Sequence, residues 1–269
     1  MPRKNKQKKI CICLVNNYPN FSKTFTMSLL QMQHYFYEWE RLAGRKDLLS
    51  TVVQGGYQLD WMRNEITNVA LTAKQDYILY LDIDQDFPTE TIPRMLMVLE
   101  QNEKECYNVV TGITTHKKPP YMPLVYNTWD EKTTSFAGIG GGFPLDKPFP
   151  VAAASMGCVM VDTRLFEGKE QPWFKFAKPG EIDGLPKGLG EDLYFFWKLK
   201  PKMLCDPTIV SGHYCDHPAT IEDYVNYNNL KVKDNIIQVS QKRLNEIKTK
   251  HELEKNLEEV TKAEKLVKG

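Results

Sequence analysis

The stretch that most constrains this chain is Tyr77-Ile78-Leu79-Tyr80-Leu81, an apolar run that ends abruptly on Asp82-Ile83-Asp84-Gln85-Asp86. An uninterrupted apolar run of this kind fits a central strand covered on both faces. The aspartates set a polar boundary where the strand stops. If the chain stays extended there, Asp82, Asp84 and Asp86 lie on one side, and like charges packed together raise the energy unless a cation or a donor neutralises them. A hard divalent cation such as Mg²⁺ or Mn²⁺, its shell completed by a diphosphate, is one solution. A solvated turn that caps the next helix is the other.

The flanking segments repeat the alternation. Lys9 to Val15 reads as a buried first strand, followed by a polar loop from Asn16 to Ser22. Thr26 to Trp39 has helical spacing, Leu49 to Gln54 is a second strand, and Leu59 to Lys74 is a helix after the Gly55-Gly56 turn. Thr89 stands as a cap before a helix from Glu90 to Leu99, and Tyr107 to Ile113 is a further strand. This order predicts an α/β fold: a mostly parallel, Rossmann-like sheet flanked by helices, with ligands held beyond the strands' carboxyl ends. Asn16-Asn17 and the Asp82 cluster fall at such ends. Lys117 to Phe149 reads as loops with short antiparallel strands. Gly157 to Val161 is a strand, Thr163 to Phe166 a short helix, Glu191 to Leu199 a helix and Met203 to Cys205 a short strand. From about residue 231 to 269 the composition shifts to an amphipathic helix. The expected organisation is therefore a basic arm over residues 1–8, a catalytic domain over 9–230 and a C-terminal helix over 231–269.

Composition supports a folded domain: hydrophobic residues make up 42% of the 269 residues, and the formal net charge is +1. A general electrostatic nucleic-acid binder carries a larger positive balance. No stretch at the start is long enough for a membrane span, and the six cysteines are dispersed. Cys11 and Cys13 share a strand face, which suits buried thiols. A reduced, cytoplasmic protein without a transmembrane segment is the expectation.

Asp82-Ile83-Asp84 with Phe87-Pro88 resembles the D-x-D signature of nucleotide-sugar glycosyltransferases with the GT-A fold, of the family 2 kind, over roughly Lys9 to Pro218. The resemblance implies that Asp84 binds the metal and that Asp82 faces the nucleoside or joins the metal. It implies that Arg63-Asn64 helps hold the nucleotide, while Asn16 and Asn17, at the end of the first strand, are nucleotide-binding candidates by their position alone. It also implies that Gly190-Glu191-Asp192-Leu193-Tyr194-Phe195 supplies a carboxylate beside the acceptor. An arginine near a diphosphate makes charge-assisted, bidentate bonds; otherwise Arg63 is a surface residue. Asp192 at a helix start is stabilised when ionised and suits a general base, with Glu191 as orienting or alternative carboxylate; otherwise both belong to an ordinary acidic first turn. The glycine-rich stretch from Gly180 to Gly190 is a candidate lid over the donor.

By the same resemblance, Asp206-Pro207 and Gly212-His213 match the stretch whose histidine completes the metal shell. A zinc site from Cys205, His213, Cys215 and His217 has no standard spacing. His116 and Lys117 stand where family members place cations near the diphosphate. Trp173 is either a platform for a sugar or part of the core, and Trp129 and Phe143 are undecided in the same way.

The reading that follows is a metal-dependent hexosyltransferase. It moves a sugar from a nucleotide-sugar, a UDP-sugar first, to a hydroxyl acceptor on a glycan, a small molecule or modified nucleic acid, with inversion. Retention, a DNA-directed transferase or DNA-binding module, and a nucleotidylyltransferase are the alternatives. Weak self-association through the C-terminal helix is a further expectation.

Overall fold

The computed structural model describes residues 7–16, 21–56, 58–139, 142–183, 185, 187–214, 218–228, 230–233, 235–238 and 249. In chain order the strands and α-helices are β1 (Lys9–Asn16), α1 (Lys23–Ala43), β2 (Leu48–Gly55), α2 (Leu59–Thr72), β3 (Tyr77–Asp82), β4 (Gln85–Asp86), α3 (Thr91–Gln101), β5 (Val109–Ile113), β6 (Val125–Asp130), β7 (Ser135–Gly138), β8 (Phe149–Val151), β9 (Ala153–Ala154), β10 (Cys158–Asp162), α4 (Glu191–Leu199), β11 (Met203–Val210), β12 (Gly212–Tyr214), β13 (Pro218–Ala219), α5 (Ile221–Tyr227), β14 (Lys231–Lys233) and β15 (Ile236–Gln238). A 3-10 turn covers Thr163–Phe166.

The main sheet runs β2-β1-β3-β10-β5-β11-β8. β1 is parallel to β2 and β3, and β11 is parallel to β5. β10 lies antiparallel between β3 and β5, and β8 is antiparallel to β11 at the edge. Side chains alternate across the sheet, so each central strand feeds two cores. Ile10, Ile12, Leu14, Tyr77, Leu79 and Leu81 pack with Phe25, Met32 and Phe36 of α1 and with Ile92, Met95, Leu96 and Leu99 of α3. Cys11, Cys13, Val15, Ile78 and Tyr80 face the other way, onto Met62, Ile66 and Ala70 of α2 and Phe195, Phe196 and Leu199 of α4. Each such apolar side chain buried on folding is worth about 1.5–3 kcal/mol. The two-faced burial explains why the strands read as continuous apolar runs. The sheet expected to be mostly parallel is mixed, with β10 and β8 running against the other strands, and it is flanked by helices as expected.

Helix α1 is longer than its apolar rhythm suggests because both ends are capped. The Ser22 side chain accepts from the Phe25 amide, and Gly44, at φ 64°, closes the C-terminus with its amide on Arg41 O. At α3 the expected Thr89 cap is absent. Glu90 holds the cap position, and the Thr89 hydroxyl donates to the Glu90 carboxylate instead. Cys11 and Cys13 are buried free thiols, as their spacing predicts. Residues 231–233 and 236–238, expected to begin a helix, pair as the antiparallel strands β14 and β15; residue 234, residues 239–269 apart from 249, and the arm over 1–6 lie outside the described residues. Among the described residues no helix is long and apolar enough to cross a membrane.

Gly112 marks where β5 and β11 approach most closely. A Cβ there would meet Ile209 O at 2.7 Å and Ile209 Cγ2 at 2.8 Å. Gly112→Ala should therefore lower unfolding stability by about 1–3 kcal/mol, the usual cost of overpacking, read as a lower urea midpoint. An unchanged midpoint would mean the two strands are not packed this way.

Candidate functional site at the carboxyl ends of the central strands

The chain does not stay extended after β3. It turns at Ile83-Asp84, and the three aspartates separate. This corrects the one-sided cluster expected from their spacing. Asp82 Oδ1 accepts from Arg63 Nη2 at 2.9 Å. Asp84 Oδ2 lies 2.6 Å from Lys117 Nζ and 3.6 Å from His213 Nε2. Asp86 Oδ1 accepts from the Gly212 amide at 2.9 Å, across 126 residues of chain, and so acts as a structural tie between β4 and β12. That tie, with the Gln85–His213 pairing, carries His213 to Asp84. The His213 Nδ1 atom sits 2.8 Å from Thr115 O, which sets the ring's orientation and leaves Nε2 towards Asp84.

Arg63 occupies the centre. It is 3% exposed, on α2, and forks between Asp82 at the end of β3 and Glu191 at the start of α4. Burying a guanidinium costs several kcal/mol unless its hydrogen bonds are met; the two carboxylates meet that cost. Asp192 adds a further negative charge within electrostatic reach of Arg63 and Asp82. One cation among three acids leaves the group net negative. Burial, with repulsion from Asp192 and Asp82 outweighing the pull of Arg63, holds the Glu191 carboxyl up at about 6. Burial likewise raises Asp192, against the pull of Arg63 and the Leu193 amide; that amide donates to Asp192 Oδ1 at 2.7 Å. Asp84 is the opposite case: burial raises it, but His213 and Lys117 prevail and hold it at about 2.

The structure thus brings Asp82, Asp84, Arg63, Lys117, Glu191, Asp192 and His213 to one end of the sheet. Asn16 is half-buried at the end of β1, beside the Val15–Asp82 pairing. Asn17 lies outside the described residues, as do Cys215 and His217. His116 has an exposed side chain, and its amide donates to Met122 O at 2.9 Å.

Two expected contacts go elsewhere. Asn64 Nδ2 donates to Asp60 O at 2.8 Å and Phe174 O at 2.7 Å, and its Oδ1 accepts from the Trp173 and Phe174 amides. A carboxamide has two donors and one two-lone-pair acceptor, so Asn64 is fully used as a staple for the 173–174 segment. Trp173 is 5% exposed, packs edge-on to Phe166 and donates its indole N–H to Lys169 O; its ring belongs to the core. Phe143 is buried as well. Trp129 is half-buried, edge-on to Phe136 at 5.0 Å. Cys205 is buried within the sheet, and Asp206 accepts from Arg94 and Thr208, which removes both from any zinc site.

Of the expected metal ligands, Asp84 and His213 are the two whose side chains stand together. Asp82 pairs with Arg63 through Oδ1, and among the described residues no cluster of three acidic, histidine or cysteine ligands forms. Two protein ligands fit a magnesium- or manganese-type ion that completes its shell with phosphate and water oxygens.

Several site residues carry no sequence signal of their own. Gly157 abuts the D-x-D turn: a Cβ there would lie 2.1 Å from Gln85 Nε2 and 2.9 Å from Asp82 Oδ2. Gln85 is fully buried, with Nε2 unpaired and Oε1 accepting from Thr114. Tyr126, on β6, feels Asp192, and burial together with that carboxylate pushes its hydroxyl up to about 12. The glycine-rich stretch is tied at its base, where Ala177 and Leu189 exchange backbone hydrogen bonds, and Leu185 is buried.

No protein-family profile matches the chain, and no curated protein does. Among solved structures, the crystal structure of A197 from STIV aligns with a TM-score of 0.51 and 15% identity, covering 87% of this chain and 95% of that one. The architecture is Rossmann-like, of the GT-A kind. Two structures of UDP-glucose pyrophosphorylase, apo and complexed with UDP-glucose, align with TM-scores of 0.40 and 0.43, each at 10% identity, over 83% of this chain and 97% and 98% of theirs. Likeness at these identities bears on the fold alone.

Because the folded protein holds the Glu191 proton to about pH 6 while the ordinary value is 4.5, this group's contribution to stability is complete below 4.5 and is lost as pH rises through about 6. Asp192 adds a slope of the same sign. Glu191→Gln should flatten the fall in melting temperature across that window relative to wild type; identical slopes would remove the buried, repelled carboxylate from this account.

Proposed function

We propose that the chain is a metal-dependent glycosyltransferase that moves a sugar from a nucleotide-sugar, a UDP-sugar first, to an acceptor hydroxyl. The observation that carries this reading is the convergence on Arg63: a strand-end aspartate, a helix-start pair of carboxylates and the neighbouring Asp84–His213 pair meet at one end of the sheet. In sheets of this kind that end is where ligands bind.

Asp84 and His213 would hold a magnesium or manganese ion, which neutralises charge developing on a diphosphate leaving group. Asn16, at the end of β1, would approach the nucleotide. Arg63 positions rather than binds: it holds Asp82 in place and fixes the first turn of α4. Asp192 then acts as general base. Its raised proton affinity suits it to take the acceptor's proton as the hydroxyl oxygen forms a bond to the anomeric carbon and the bond to the nucleoside diphosphate breaks. Attack opposite the leaving group inverts the anomeric configuration. Glu191, paired to Arg63, orients the turn that carries Asp192.

A panel of nucleotide-sugars, assayed for release of nucleoside diphosphate with and without Mn²⁺, tests this directly. Wild type should release UDP from at least one UDP-sugar only when metal is present. Asp192→Asn should lower that rate by about 10²–10⁴-fold, the usual share of a general base, with UDP binding retained. Turnover unaffected by Asp192→Asn, or no response to any nucleotide-sugar with either metal, contradicts the reading.

A further inference from the structure

Each D-x-D carboxylate is neutralised by a cation of the chain itself, and the two cations differ in how firmly they are held. Arg63 is buried and forked between two acids, so it stays with Asp82. Lys117 is not. Its side chain is 40% exposed, it follows β5 in the segment after Thr115, and it reaches Asp84 Oδ2 at 2.6 Å, the same oxygen that faces His213 Nε2. An ammonium is a compact point charge on a flexible stem, and an ion pair this exposed is weak enough to exchange. The position that a divalent cation would take beside Asp84 is thus held by a group that is able to leave.

We propose that Lys117 is an exchangeable counter-ion: it closes Asp84 in the ligand-free protein and yields more readily to a divalent cation that arrives with a nucleoside diphosphate, whose oxygens accept hydrogen bonds from the displaced ammonium. This rests on the metal-dependent reading above. A bare divalent cation at Asp84 must evict the ammonium into its own positive field, with no new partner to receive it. A diphosphate brings negative charge that satisfies both cations. Metal and diphosphate therefore bind cooperatively, and the coupling is reciprocal: each strengthens the other by the same factor. His213, whose ring is set by Thr115 O, keeps its place throughout. Lys117 is in this sense a positioning residue for the donor, and it disfavours filling of the site with metal before the donor arrives.

Mn²⁺ binding to the full chain is read from the loss of the free-ion electron paramagnetic resonance signal, for wild type, Lys117→Gln and Asp84→Asn, each with and without UDP. Without UDP, Lys117→Gln should bind Mn²⁺ about two- to fivefold more tightly than wild type, the range an exposed ion pair supports. UDP should tighten Mn²⁺ binding to wild type more than to Lys117→Gln. Equal Mn²⁺ affinity of wild type and Lys117→Gln without UDP, with binding lost in Asp84→Asn, overturns the counter-ion role and leaves the metal reading standing. Absence of Mn²⁺ binding in wild type and Lys117→Gln even with UDP, or full binding in Asp84→Asn, overturns the metal reading and this inference with it.

Discussion

A guanidinium buried to 3% exposure is costly to desolvate, and here it is balanced by two carboxylates from distant parts of the chain. Removing one partner of such a buried group typically costs about 3–5 kcal/mol, because a charge is left uncompensated. Arg63 therefore does more than pair charges. It fixes the end of β3 relative to the first turn of α4, and so determines where Asp192 stands. With one cation set among Asp82, Glu191 and Asp192, the site retains excess negative charge. Burial first, and then that excess, hold Glu191 up at about 6 against the pull of Arg63, and the excess favours binding of a further positive group.

The sheet supplies the rest of the geometry. Two-faced burial of β1 and β3 leaves these strands no freedom of register, since a one-residue slip would send every side chain to the wrong core. With register fixed, Asn16 and Asp82 emerge side by side. The turn after β3 then sends the acids in different directions. Asp82 goes to Arg63, Asp84 to Lys117 and His213, and Asp86 to the backbone of β12. Gly157 permits this turn, because any side chain there would displace Gln85 or Asp82.

Much of this was legible in the sequence, and the parts that were not share a cause. Apolar runs bounded by turn residues located β1 and β3, because burial on both faces leaves a local pattern; α2 and α4 showed helical periodicity, and β2, an edge strand, was read from its short apolar run and the glycines after it. Glu191 to Leu199 matched its helix at both ends. The aspartate spacing marked the strand end where Asp82 and Asp84 stand, but extended-chain geometry misplaced the side chains, since the turn at Ile83-Asp84 depends on pairing with β12. Arg63 and Asn64 are neighbours with different tasks. One faces the carboxylates and the other staples Trp173, a division set by which side of α2 meets which loop. Trp173 was equally suited to a surface or a core; only its contact with Phe166 decides it. Lys117 was one of several basic residues in a polar turn, and its 2.6 Å contact with Asp84 is a tertiary fact. The paired strands over 231–233 and 236–238 have residues with helical periodicity, yet pairing with Phe143 through Ile237 overrides it.

On the proposed function the two motif aspartates have separate tasks, Asp82 bound to Arg63 and Asp84 open to a metal with His213. A crystal grown with Mn²⁺ and UDP, with diffraction data collected at the manganese absorption edge, tests it most directly. The account predicts one strong anomalous peak in contact with Asp84 and His213 Nε2, with Arg63 still bridging Asp82 and Glu191. Manganese bound to Asp82 with Arg63 released, or a peak remote from both Asp84 and His213, would contradict it.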